Sequence, residues 1–223
     1  MSASFNGTTS IITTPALTLG TSVTCVAWVK PSGAGEGNKG TIFAQGTSAE
    51  GRLKWQFDSS GTTKLRLLCN RVTTDGEWAF GSALSTTAWS HVAVTYDGSS
   101  TTNDPVAYLN GVSVTVTETS TPNGAMDADA VAGYVGNNSA SSHTWNGLLS
   151  HVMVFTSLLT ANEIALLYAL GPRAKPSAYF YYPLWESVIT AGDFSGNGRT
   201  GTPANVTVSA EEPPVPTTAP GTF

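Results

Sequence analysis

The sequence predicts an all-β protein, a two-sheet antiparallel sandwich carrying one short helix, and three observations carry that prediction. Short apolar runs recur between clusters of Gly, Ser, Asn and Asp at 23–29, 41–44, 53–57, 65–69, 91–96, 106–109, 112–116, 131–135 and 148–155. A chain that turns this often must pack sheet on sheet. The stretch from Trp89 to Val116 holds two turn signals between runs of alternating polarity. A single capping box, Thr160 to Glu163, marks one helix.

Each element has a local reason. In the run 91–96, His91, Ala93 and Thr95 point to one face and Val92, Val94 and Tyr96 to the other, and Asp97-Gly98 ends it with residues that tolerate positive φ. The runs 106–109 and 112–116 are separated by Asn110-Gly111, the pair that a type I′ turn requires, so they form a hairpin. After the capping box, Ile164, Leu167 and Tyr168 give an apolar stripe and Gly171-Pro172 stops the helix, which is expected to plug one edge of the sandwich. Beyond Pro172, PSAYFYYPLWE reads as an aromatic strand, 193–202 as a polar turn, and EEPPVPTTAPGTF as a Pro-rich tail with little means of burying itself. The expected organisation is a sandwich over 1–172, strands over 173–208 completing the same domain, and an extended tail over 209–223.

Composition narrows the class. A chain of 223 residues can bury one substantial core without metals or disulfides. Hydrophobic residues make up 40% but charged ones only 11%, so the surface is built of Ser, Thr, Asn and Gly. With a net charge of -5 and no Lys/Arg cluster, the chain is not expected to bind nucleic acid. No run approaches the ~20 apolar residues of a membrane span. Cys25 and Cys69 lie in separate apolar runs rather than in a metal-type pair and read as buried free thiols. Met1 is followed by SASFNG, with no basic start or apolar run, so synthesis in a cytoplasm without a signal peptide is expected.

Seven segments share a pattern: SVTCVAWVKP (22–31), GTIFAQG (40–46), WSHVAVTYDGSS (89–100), AYLNGVSV (107–114), VGNN (135–138), WNGLLSHVMVFTSLLTANEIALLY (145–168) and DFSGNGRTGT (193–202). In order and spacing they resemble the laminin G-like modules of the concanavalin A-like jelly-roll superfamily, with a pentraxin-like ending. The PLWE…DFSGNG segment usually precedes the first core strand of such modules; here it follows the helix, which the reading takes as a permuted completion of the same sandwich. The tail-placed arrangement is similar to that of laminin G-like proteins in bacteriophage genomes.

The resemblance implies acidic calcium loops at positions matching Glu50, Asn137 and Asn138. Amides in place of carboxylates remove the charge that drives such a site, so no cofactor is expected. Met126-Asp127-Ala128-Asp129 and the pair Asp193 and Asn197 read as structural turns, lacking the ordered ligand series of a calcium loop. Glycosidase relatives need paired carboxylates on a strand, and Asp75-Gly76-Glu77, the nearest approach, reads as a turn. His91, His143 and His151 accompany no nucleophile motif. No enzymatic activity is therefore expected.

Sugars stack on aromatic faces, and Trp78, Trp89, Trp145 and Trp185 with Tyr134, Tyr179, Tyr181 and Tyr182 are the rings on offer. Most tryptophans in sandwiches are core, and Trp78 and Trp145, in loop-like sequence, are the candidates for an exposed stacking ring, with Asn137 and Asn138 as candidate polar partners. Two roles follow. The first is surface display and assembly, foremost as a capsid-decoration or similar structural protein on the surface of a phage virion. Its partners would be capsid or tail proteins or other copies of the chain, held through a tail that includes Pro213, Pro214, Pro216 and Phe223. The second is a carbohydrate-binding adhesin that holds glycans through Trp78, Trp145, Asn137 and Asn138.

Overall fold

The computed structural model describes residues 1–46, 51–172 and 177–215. In chain order its strands are β1 (Ser2–Asn6), β2 (Ile11–Leu17), β3 (Ser22–Pro31), β4 (Thr41–Gln45), β5 (Leu53–Phe57), β6 (Lys64–Cys69), β7 (Gly76–Ala83) and β8 (Ser90–Asp97). They continue as β9 (Val106–Leu109), β10 (Val112–Val114), β11 (Val116–Ser120), β12 (Val131–Val135), β13 (Asn146–Phe155), β14 (Phe180–Tyr182), β15 (Thr202–Ala204) and β16 (Thr207–Ser209). The helix α1 (Ala161–Leu170) falls between β13 and β14. Two antiparallel sheets result: β10-β9-β8-β3-β13-β1-β16 with β14 also on β13, and β11-β7-β6-β5-β4-β12-β2-β15. This is a jelly-roll sandwich.

Alternation builds the core. Along β5, Leu53, Trp55 and Phe57 enter the space between the sheets while Lys54 and Gln56 take the other face; β6 sends in Leu65, Leu67 and Cys69. They meet Phe5, Phe43, Trp78, Tyr96 and Trp145 from neighbouring strands. Cys25 and Cys69 are free and buried, and burial pushes both thiols up, far from the range where a thiolate forms.

The expected hairpin forms on Asn110 (φ 51) and Gly111 (φ 79), as a type I′ turn requires. The run 112–116, read as one strand, is in fact two. β10 pairs with β9 in the first sheet, and from Val116 the chain pairs with β7 in the second, so the break at Thr115 is where it crosses between sheets. The helix is capped reciprocally by Thr160 and Glu163 and stops at Gly171 (φ 74). It does not plug an edge. Ile164 and Leu167 settle on the outer face of the first sheet against Val26, Ala93, Met153 and Phe155, making a second small core. The face was available because β3, β8 and β13 carry apolar side chains on both sides.

Residues 177–215 work on both sheets. β15 adds to β2 (Thr202 opposite Thr13) and β16 adds to β1 (Ser209 opposite Ser2). The tail then packs on its own domain: Pro213 is buried, and Pro214 is exposed. Glu211 reaches Lys30 Nζ at 2.5 Å, and Glu212 reaches the N-terminal amine at 3.0 Å. Val215 lies against Gly171 so closely that a Cβ there would sit 2.4 Å from its Cγ1. Through Val215, then, the tail is not a free strap; Pro216 and Phe223 lie outside the described residues. No helix among those residues is long and apolar enough to cross a membrane.

Candidate functional site

The two candidate stacking rings prove to be core. Trp78 is fully buried beside Tyr96, with ring centroids 5.0 Å apart, and its Nε1 donates to Asp104 Oδ1 at 2.7 Å. Trp145 is also fully buried, stacked on Phe57 at 4.8 Å and 21°, and its Nε1 finds no acceptor among the described residues. Neither can offer a face to a ligand, because the loop-like sequence around each leads into a strand whose side chain points inward.

The loop carrying Asn137 and Asn138 is braced from within. Asn137 Nδ2 donates to Ser10 O at 3.2 Å and to Thr144 Oγ1 at 2.8 Å, while its Oδ1 accepts from the backbone N–H groups of Asn138 and His143. Asn138 Oδ1 accepts from Ser142 N at 2.9 Å. Both are buried and serve loop geometry. Glu50 lies outside the described residues. Among those residues no three His, Cys, Asp or Glu side chains converge as a metal would need, and two engaged amides do not fit calcium.

The other acidic candidates are also structural. Asp129 clamps Leu19 N at 3.0 Å and Gly20 N at 2.6 Å, and Asn197 Nδ2 donates to Ala178 O and Tyr179 O. Asp75 accepts from Arg71 N whereas Glu77 pairs with Arg66, so the two carboxylates serve separate partners. His91 is buried against Trp28 and Tyr168.

A different constellation stands out, built by the turn between β14 and β15. It begins in β13, whose first half pairs with β1 and whose second half pairs with β14, so the strand must shift register between them. His151 sits at that kink with φ 49, its N–H donating to Pro183 O at 3.0 Å and its Nδ1 hydrogen-bonding Tyr181 Oη at 2.7 Å. Leu184 (φ 57) and Ala191 (φ 48) lie in the turn beside it. Leu184 and Ala191 are not usual occupants of the left-handed region, and strain of this kind collects at functional positions.

Held by this backbone, Trp185 is 45% exposed, Val188 70% and Phe194 57%. Trp185 meets His151 edge to face at 5.5 Å and 89°, and Phe194 at 6.0 Å and 83°. Phe194 also meets Tyr181 at 6.4 Å. The two exposed rings therefore form a right-angled corner with buried His151 and half-buried Tyr181 as its floor. Asp193 sets the angle: its carboxylate accepts backbone N–H bonds from Tyr181, Ser195 and Arg199 at 3.0, 2.9 and 2.8 Å. Partial burial raises its pKa, but those donors outweigh it and hold the carboxyl below its ordinary value.

Glu186 lines the same corner. A Cβ on Gly192 would lie 3.3 Å from Phe194 Cε2 and 3.7 Å from Glu186 Oε1, so ring and carboxylate flank one gap. Oε1 takes a 3.4 Å bond from Thr190 Oγ1, while Oε2 is buried with no hydrogen-bond partner among the described residues. Oε1 is therefore the oxygen that faces the gap, held there by a long bond. Sequence reasoning offered Trp185 as one ring among several but missed the corner. The available signal was a Trp-Glu pair after Pro183, with no strand alternation to bury the ring.

Comparison with known proteins places the chain. Residues 6–165 match the family profile described as the Concanavalin A-like lectin/glucanases superfamily. No curated protein matches the chain by sequence. Among solved structures, a Bacteroides ovatus protein described as carbohydrate-binding is 20% identical with a TM-score of 0.68, covering 97% of this chain and 62% of its own. A heptameric SAP-like pentraxin from Limulus polyphemus is 18% identical with a TM-score of 0.57, covering 75% and 81%. Domains LG4-5 of the mouse laminin alpha1 chain are 11% identical with a TM-score of 0.53, covering 72% and 43%. At these identities the likeness is one of fold. The chain spans under two thirds of the length of the Bacteroides protein.

Proposed function

Because this chain belongs to the concanavalin A-like lectin/glucanase superfamily, whose profile covers residues 6–165, we propose that it is a non-catalytic module that binds glycans. The observation that carries this reading is the exposed corner of Trp185 and Phe194 with Glu186 beside it. Exposed aromatics in contact with one another are uncommon on a chain with no partner to meet, and a ring with an adjacent acceptor is what a sugar's alternating C–H and O–H groups require. The fold shared with the Bacteroides protein described as carbohydrate-binding supports the same direction. The test is a glycan array probed with the full chain. Binding to a defined set of glycans is expected; an array with no hit at micromolar protein sinks the reading.

A second reading, in which the domain is mounted on a larger particle such as a phage virion, draws on a separate observation. Leu158, Leu166 and Leu170 in and before α1, and Val112 of β10, are all exposed, an apolar surface that a protein neighbour would cover. Light scattering over a range of concentrations tests its self-assembling form. A full-length oligomer supports it, and a monomer at every concentration removes it. The two readings are compatible, since a mounted module can also hold glycans.

A further inference from the structure

Resting on the glycan-binding reading, we infer that the Trp185–Phe194–Glu186 corner takes one terminal, uncharged hexopyranose end-on and needs no calcium to do so. The geometry selects among sugars. Successive units of a linear polysaccharide lie across aromatic rings that are spaced along a common plane. Here the rings stand 83° apart with centroids separated by 6.0 Å. A corner of that size has room for one sugar ring, its face on one aromatic and its edge against the other. The C–H bonds on the apolar face of a pyranose are slightly positive and meet the negative face of an aromatic ring.

Charge and hydrogen bonding restrict the class further. Glu186 and Thr190 are the polar groups that flank the gap, and Glu186 Oε1, held by only a 3.4 Å bond from Thr190 Oγ1, is an acceptor suited to a sugar hydroxyl. The same carboxylate repels a uronic or sialic acid, on a chain whose net charge is already -5. Calcium has no place in the scheme. Asp193, the neighbouring carboxylate, already uses both oxygens on three backbone N–H groups. His151 stays uncharged near neutral pH, since burial pushes it down to about 4, so the floor of the corner adds no positive charge to attract an acidic sugar.

The experiment is a saturation-transfer NMR titration of the full chain in EDTA with methyl β-D-galactopyranoside, methyl β-D-glucopyranoside and methyl β-D-glucuronide. Trp185→Ala, Phe194→Ala and Glu186→Gln are titrated beside it, with thermal melts to check folding; all three side chains are at least partly exposed, so the melts should agree. At least one neutral glycoside should bind in EDTA, more than tenfold more weakly in Trp185→Ala and Phe194→Ala and several-fold more weakly in Glu186→Gln. The glucuronide should stay unbound unless Glu186 is neutralised. Variants that bind like the wild type overturn the site, and loss of all binding in EDTA overturns the calcium-independent mode. Array hits that are all acidic, or all internal segments of a chain, overturn the sugar class while leaving glycan binding intact. An array without hits removes the parent reading itself.

Discussion

The loop at residues 137–145 and the turn at 183–194 are made of similar parts, yet they end in opposite states. Each has a tryptophan and hydrogen-bonding side chains, and each tryptophan meets a second aromatic ring. In the first, Trp145 lies flat on Phe57 inside the sandwich and the two Asn amides fold back on their own loop. In the second, Asp193 likewise fixes the backbone, but Trp185 and Phe194 stay outside and Glu186 Oε1 faces the gap beside Phe194. The difference lies in where the backbone sends the ring. Trp145 stands just before β13 with its ring turned into the core, whereas Trp185 follows Leu184, whose left-handed φ turns the chain away from β14. A tryptophan is a binding residue only where the fold denies it a pocket.

Substitution of the two tryptophans should break the symmetry most sharply. Trp145→Ala opens a large cavity in the core and should cost about 3–5 kcal/mol, read as a fall in the urea midpoint. Trp185→Ala should shift stability by less than about 1 kcal/mol. Equal losses from the two would mean that Trp185 is a packing residue, and the contrast would collapse.

Acid gives the next largest effect, and it separates the two regions by chemistry. His91 is buried beside Trp28 and Tyr168 with neither ring nitrogen hydrogen-bonded among the described residues, and His151 lies beneath Trp185. For His91, burial and then the charge of His151 lower the pKa to about 4; for His151, burial and then the N-terminal amine do the same. In the unfolded chain both titrate near ~6.5. Their contribution is therefore complete above pH 6.5 and falls as the pH drops towards 4, because only the unfolded chain takes up protons in that window. The fall should approach about 3 kcal/mol per histidine. Denaturation curves between pH 4 and 7 measure it, and His91→Phe should flatten the profile; a profile unchanged by that substitution would mean that His91 is charged in the fold.

The sandwich was legible because its information is local. The strand at 91–96, the Asn110-Gly111 turn and the Thr160–Glu163 capping box each carry period, turn chemistry or cap in a few residues. The corner was not, because it depends on distant partners: His151 and Tyr181 meet across 30 positions, and β13 kinks only because β1 and β14 share one of its sides. The misplacement of Trp78 and Trp145 has the same origin. A loop-like neighbourhood describes the chain around a residue, while burial is decided by the sheet that the residue joins.

A smaller effect is expected at the helix. Thr160→Ala removes the side chain that accepts from Glu163 N and should cost about 1 kcal/mol, with glycan binding untouched because α1 contributes nothing to the corner. Loss of binding in this variant would tie the corner to the outer face of the first sheet.

The smallest effect belongs to the tail. Lys30 and Glu211 pair at 2.5 Å, but Glu211 is more than half exposed, and pairs of that kind are worth about 0–1 kcal/mol because water and salt screen them. A double-mutant cycle on Lys30→Ala and Glu211→Ala should give a coupling below that ceiling and decreasing with salt. Pro213 anchors the same segment by burial rather than charge, so Pro213→Ser should loosen the tail at any ionic strength. Proteolysis at the tail, compared at low and high salt, separates the two: cleavage that rises with salt assigns the hold to the ion pairs, and salt-independent cleavage that rises only in Pro213→Ser assigns it to the buried ring.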